Sequence, residues 1–269
     1  MLNIEQGDPK LIKFVEHVLG QYLQLMQERG ILNEQEAKFA LDEVFKTHIH
    51  TIDFKDLAGG WAVVNKQQGV MYLDSTFKEV LYNAEGFDDP KLDQPVKHSR
   101  NPDWGEKVIR KNIFHELTHF LQQPGYTFVK NEYQQECEVL NEDATVITEE
   151  FIWAMHLNRT GDKTARVALV KFQIPEGEFT VPTTVSDKTV KYITSGYFRE
   201  LDTCVKLLEQ IDMSPDDFIR GSTIFGQSQR TKFMKNFEST VKQDFADFAS
   251  GLDNQLHVRH DQMGTADIF

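Results

Sequence analysis

Cysteine is nearly missing from this sequence, with Cys137 and Cys204 the only two in 269 residues. Two isolated thiols make neither a disulfide framework nor a zinc-ribbon pattern, and they read as buried thiols in a reducing compartment. Positive charge is also in deficit: 29 Lys and Arg stand against 42 Asp and Glu, for a formal net charge of −13. A nucleic-acid binder needs basic patches to neutralise phosphates, and an anionic membrane surface makes the same demand, so neither is an expected partner. No run approaches the roughly 18 uninterrupted apolar residues of a membrane-spanning helix. The opening stretch from Met1 to Pro9 lacks the basic region and apolar core of a signal peptide, so the expected location is cytoplasmic. There is no disordered or collagen-like bias, no internal repeat and no low-complexity segment.

What the chain does have is core material, including 20 Phe, in enough length for one large domain or two ordinary ones. Leu11, Ile12, Phe14, Val15, Val18, Leu19, Tyr22, Leu23 and Met26 recur at helical spacing, and Gly30 follows as a stop. Asn33 caps a second helix, with Glu36 three residues on. The runs Trp61–Val64 and Val70–Leu73, separated by Asn65–Gly69, predict a hairpin. Asp74 and Ser75 then cap a short helix, and a polar loop runs from about Asn83 to Asp103.

Helical periodicity returns from Trp104 to Gln123 and from about Asn131 to Leu157. Residues 166–187 are ambiguous between irregular structure and a weak hairpin. The remainder reads as helices at about 188–211, 215–224 and 228–256, with Ser214, Pro215 and Asp217 marking a strong helix start. The expected fold class is α+β, mostly helical: a small antiparallel sheet beside the helix at 104–123 in residues 1–160, then a helical C-terminal part in 161–269.

The chemistry-bearing motif is His115-Glu116-Leu117-Thr118-His119. Residues four apart lie on one face of a helix, so both imidazoles can aim at a single ion. Glu116, about 100° around the helix, flanks the ion instead of binding it. From there it can take a proton from a zinc-bound water, whose pKa zinc lowers from about 15.7 towards 7. This is the zinc-protease pattern H-E-x-x-H. A chance motif on a solvated surface helix is the competing reading, and the apolar flanks Ile113, Phe114, Phe120 and Leu121 weigh against it. No histidine follows until His156, so the metzincin continuation, with its third His in the same segment, is absent.

Asn141-Glu142 on the downstream helix completes a pattern that resembles the gluzincins, the thermolysin-like clan of zinc metallopeptidases. The resemblance covers the H-E-x-x-H motif, Asn141-Glu142 and the upstream hairpin-then-helix order. It implies a zincin-like sheet, a Zn2+ ion held by His115, His119 and Glu142, Glu116 as general base, and a peptide or protein substrate. It also implies that Val70–Leu73 resembles the edge strand along which an extended substrate pairs. One departure stands out: where the clan often has an acid four residues after the ligand Glu, this chain has Val146. Thr145 and Glu149 share the face of Glu142 and could support the site, and Glu138 is the main competitor for the ligand role.

An oxyanion donor is expected from Tyr, His or Arg. Tyr192, Tyr197, His156, Arg220, His257 and His260 are candidates by type, and Tyr197 is chosen because Ser195-Gly196 could start a turn at a cleft edge. A packed aromatic is the alternative for Tyr197. His48 and His50, two apart, do not share a helical face and read as structural. The functional expectation is a zinc metallopeptidase, with a non-catalytic zincin-fold binding or regulatory module as the alternative.

Overall fold

The first long helix, α1 (Pro9–Glu28), forms where the apolar periodicity is strongest, and Leu11, Phe14, Val15, Val18, Leu19, Tyr22, Leu23, Leu25 and Met26 are its buried face. Asp8 caps it, its side chain accepting from the amides of Lys10 and Leu11. The chain leaves the helix through Gly30 at φ +79, a conformation open to glycine. The structure is a computed structural model, and it describes residues 1–57, 62–83, 105–122, 138–160, 166–174, 177–185 and 207–241, together with 247 and 251. The chain divides into two compact units, one of Met1–Phe120 with Ile152–Thr164 and one of Leu121–Phe151 with Ala165–Phe269.

In the first unit, Asn33 and Glu36 form the expected capping box at the start of α2 (Glu34–Phe39). The helix passes through a π-helical turn, Ala40–Phe45, into the short α3 (Lys46–His48). A four-stranded sheet follows from β1 (Gln6–Gly7), β2 (Thr51–Lys55), β3 (Ala62–Asn65) and β4 (Val70–Asp74), in the order β1-β2-β4-β3. The hairpin β3–β4 is antiparallel, as the sequence predicts, with Val63 opposite Tyr72. The sheet as a whole is mixed, because β1–β2 and β2–β4 pair in parallel. Gly69 closes the hairpin at φ +66, where a Cβ would come within 2.5 Å of the His48 carbonyl and 2.6 Å of the His50 ring. His48 turns its Nδ1 to the Val44 carbonyl at 2.9 Å, the structural role expected of it.

The expected edge strand is corrected here. Val70–Asp74 lies inside the sheet between β2 and β3, and among the described residues β3 forms that edge. Burial explains the exchange: Val70, Met71 and Leu73 are buried along β4, whereas β3 alternates half-buried and exposed positions. A strand covered on both faces takes the interior place.

Asp74 ends β4 and starts α4 (Thr76–Asn83), accepting from the Thr76 amide and hydroxyl and from the Leu57 amide at 3.0 Å. The helix carrying the motif is α5 (Gly105–Leu121), and the downstream helix is α6 (Glu138–Thr160). Of the helix expected at about 131–157, residues 131–137 lie outside the described residues, as do 84–104, both cysteines, residues 188–206 of the helix expected at 188–211 and most of 242–256 of the helix expected at 228–256.

In the second unit, the ambiguous stretch is an antiparallel hairpin of β5 (Arg166–Ile174) and β6 (Gly177–Val185). Ser214 caps the helix Pro215–Ser222 by accepting from the Asp217 amide, as its sequence predicts. That helix packs on Gln227–Val241 through Phe218, Phe233 and Phe237, whose rings follow one another at 6.0 and 6.3 Å. The architecture is α+β and mostly helical.

Asp74 supplies a test of the sheet-to-helix junction. Burial pushes its carboxyl pKa up, but hydrogen bonds from Thr76 and Leu57 outweigh that and hold it below the ordinary value of 3.8. A carboxylate with a lowered folded pKa stabilises above its unfolded pKa and loses that contribution as pH falls through the folded one. Asp74→Ala is expected to cost about 1 kcal/mol at neutral pH. Denaturant melts of the two proteins should converge as pH drops below about 4.

Candidate metal centre

The helix α5 carries two functional stripes, fixed by the four-residue repeat. Arg110, Phe114 and Thr118 form one, and it packs on α1. The Arg110 guanidinium lies over the Phe14 ring at 5.2 Å and donates to the Gln21 side chain. The Phe114 and Tyr22 rings are 6.0 Å apart, and the Tyr22 hydroxyl is 3.0 Å from Thr118 Oγ1. Since Thr118 gives its own hydrogen to the Phe114 carbonyl at 2.9 Å, Tyr22 is the donor in this pair. Apart from the half-buried Gln21 these side chains are buried, so α5 is anchored by specific polar contacts as well as by apolar area.

His115 and His119 form the adjacent stripe and point together. Their Nε2 atoms are 3.1 Å apart and their ring centroids 4.7 Å apart, with the planes nearly perpendicular. Glu142, in the first turns of α6, joins them: one ligand atom from each of His115, His119 and Glu142 lies within 4.8 Å of the others. All three are half-buried, which leaves the group open to solvent on one side, while Glu116 is only 6% exposed.

The arrangement fits a cation. Metal–nitrogen bonds of about 2.0–2.1 Å at a tetrahedral angle separate two ligand nitrogens by about 3.3 Å. The observed 3.1 Å is close to that edge, and the carboxylate, within 4.8 Å of both nitrogens, needs a closure of up to about 1.5 Å to reach the same edge length. Three ligands leave a fourth position for a small molecule.

Most of the buried polar and charged side chains among the described residues lie on or just after α5 and along α6: Arg110, Lys111, Glu116, Thr118 and Gln122, then Asn141, Thr145, Thr148, Glu149 and His156. Such groups are costly to bury and are kept where they are paired or needed. Thr145, expected to support Glu142, is bonded to the Asn141 carbonyl and to Gln122. Glu149 is buried on the same helix. Glu138 opens α6.

The oxyanion candidates fare differently. His156 is buried, stacked on Trp153 at 5.4 Å and edge-on to Phe114 at 6.2 Å, so its ring is a core element. Arg220 lies in the helix Pro215–Ser222. Tyr197, Tyr192, His257 and His260 lie outside the described residues.

Two contributors went unnoticed in the sequence, Tyr22 and Gln122. Tyr22 is hidden in the apolar stripe of α1, and the one available signal is its type: a buried tyrosine needs a partner for its hydroxyl. Gln122 follows the motif directly, but nothing local tells which carbonyl it reaches.

Tyr22→Phe removes the donor to Thr118 and should cost about 1 kcal/mol in a denaturant melt at pH 7. Burial raises the Tyr22 pKa well above 10.0. The stability tied to its neutral form is therefore present below pH 10 and lost as pH rises beyond it. The gap between wild type and Tyr22→Phe should narrow in that range.

No protein-family model matches the chain, and neither a curated protein nor a solved structure matches it.

Proposed function

We propose that this protein is a zinc-dependent metallopeptidase of gluzincin type, using His115, His119 and Glu142 as ligands and Glu116 as general base. The observation that carries the reading is the convergence of two imidazoles and a carboxylate within 4.8 Å beside a buried glutamate. Two nitrogens and one oxygen form the donor set of catalytic zinc sites that keep one position open. Bound there, zinc would act as a Lewis acid, polarising a substrate carbonyl and lowering the pKa of water.

The chain's own residues supply the rest. Glu116 adjoins His115 in sequence and points about 100° away from it, beside the ligand group and not into it. Its carboxylate takes the proton from the attacking water as the carbon–oxygen bond forms, then delivers it to the departing amine nitrogen as the carbon–nitrogen bond breaks. The anchoring of α5 by Tyr22, Gln21 and Phe14 keeps the two rings and this base in fixed relation. The expected substrate is a peptide or protein, and residence in the cytoplasm is part of the same proposal.

Wild type and Glu116→Gln should each retain one equivalent of zinc by elemental analysis, while hydrolysis of a mixed peptide library falls by about 100-fold or more in the variant. His119→Ala should lose the metal and the activity together. Undiminished hydrolysis by Glu116→Gln would reject the assignment, and zinc binding without hydrolysis by wild type would favour a non-catalytic module.

A further inference from the structure

The last residue of the histidine stripe is Gln122, three positions beyond His119 and just past the end of α5. Its Nε2 donates to the Asn141 carbonyl at 2.9 Å and to Thr145 Oγ1 at 2.8 Å, which uses both amide hydrogens. Thr145 Oγ1 in turn donates to the same Asn141 carbonyl at 2.8 Å. Gln122 is 2% exposed, Asn141 5% and Thr145 0%, so this three-cornered network is closed to water. Asn141 immediately precedes Glu142, and Thr145 lies on the turn that follows it. The network therefore grips α6 on both sides of the third ligand.

The end of α5 is fixed from a second direction. The Leu121 carbonyl accepts the Ile224 amide at 2.9 Å. The loop that offers this amide is held by Arg230, whose guanidinium donates to the carbonyls of Gly221 at 2.8 Å and Thr223 at 2.6 Å. Gly226 packs so closely on the Arg220 carbonyl that a Cβ would sit 1.8 Å from it, so no larger residue fits at this point of the loop.

We infer that Gln122 is a positioning residue for the metal site: it sets the axial register of α6 against the end of the motif helix, so that Glu142 meets the ion held by His115 and His119. This rests on the metal site proposed above. One residue of slippage along a helix is a 1.5 Å rise and about a 100° turn, enough to carry the carboxylate out of reach. A polar clamp with fixed partners specifies that register in a way apolar packing does not.

The test is metal affinity and coordination, read without substrate. Zinc affinity is measured by chelator competition for wild type, Gln122→Met, Thr145→Val, Thr145→Ser and Glu142→Gln, and each is also loaded with Co2+ for its visible absorption spectrum. Gln122→Met and Thr145→Val keep the side-chain volume but remove the amide or the hydroxyl. Each should weaken zinc about 10- to 100-fold, the usual cost of losing support behind a ligand. Their Co2+ spectra should move towards that of Glu142→Gln, and Thr145→Ser should restore wild-type affinity and spectrum. Should Gln122→Met fail to fold, the Thr145→Val and Thr145→Ser pair carries the same comparison. Wild-type affinity and spectrum in Gln122→Met or Thr145→Val would overturn the inference while leaving the metal site standing. Failure of the wild type to bind zinc or Co2+ would remove both.

Discussion

Two imidazole nitrogens held 3.1 Å apart on one face of a buried helix are the constraint on which the candidate metal centre depends. At that distance two lone pairs cannot face each other; a proton or a cation must lie between them. The cost is accepted because α5 has little freedom to turn. Its neighbouring stripe, Arg110, Phe114 and Thr118, is locked to Phe14, Gln21 and Tyr22 of α1. Rotating the histidines apart would break those contacts in the same motion.

The polar side chains buried with this helix fall into two sets by what they do. Arg110 and Thr118 bond to α1 and hold the helix. Gln122 and Thr145 bond to one another and to a backbone carbonyl next to Glu142. The hydrogen bonds within each set offset much of the cost of burying these groups. A partly satisfied set would be worse than an apolar core, so these contacts are expected to act as units and not as separate increments.

The sheet follows a related logic of coverage. β4 is interior because its side chains are buried on both faces, and β3 lies at the edge because half of its positions are open. The parallel additions of β1 and β2 draw the chain's start back beside the hairpin, with the Asp8 amide bonded to the Ile52 carbonyl at 3.1 Å. That pairing sets where α1 begins, and α1 in turn holds the motif helix.

Sequence by itself determined the local elements whose cause is local. The stripe of α1, the Asn33–Glu36 capping box, the Asn65–Gly69 turn and the Ser214 cap were all legible, because each depends on residues within about one turn of one another. The pairing of His115 with His119 was legible for the same reason. Only the tertiary structure decided that β4 is interior, that Tyr22 meets Thr118, that Gln122 reaches Asn141 and Thr145, and that Glu142 joins the two rings. These contacts join residues far apart in the chain, and their geometry follows from how whole helices pack, which no window of a few residues records.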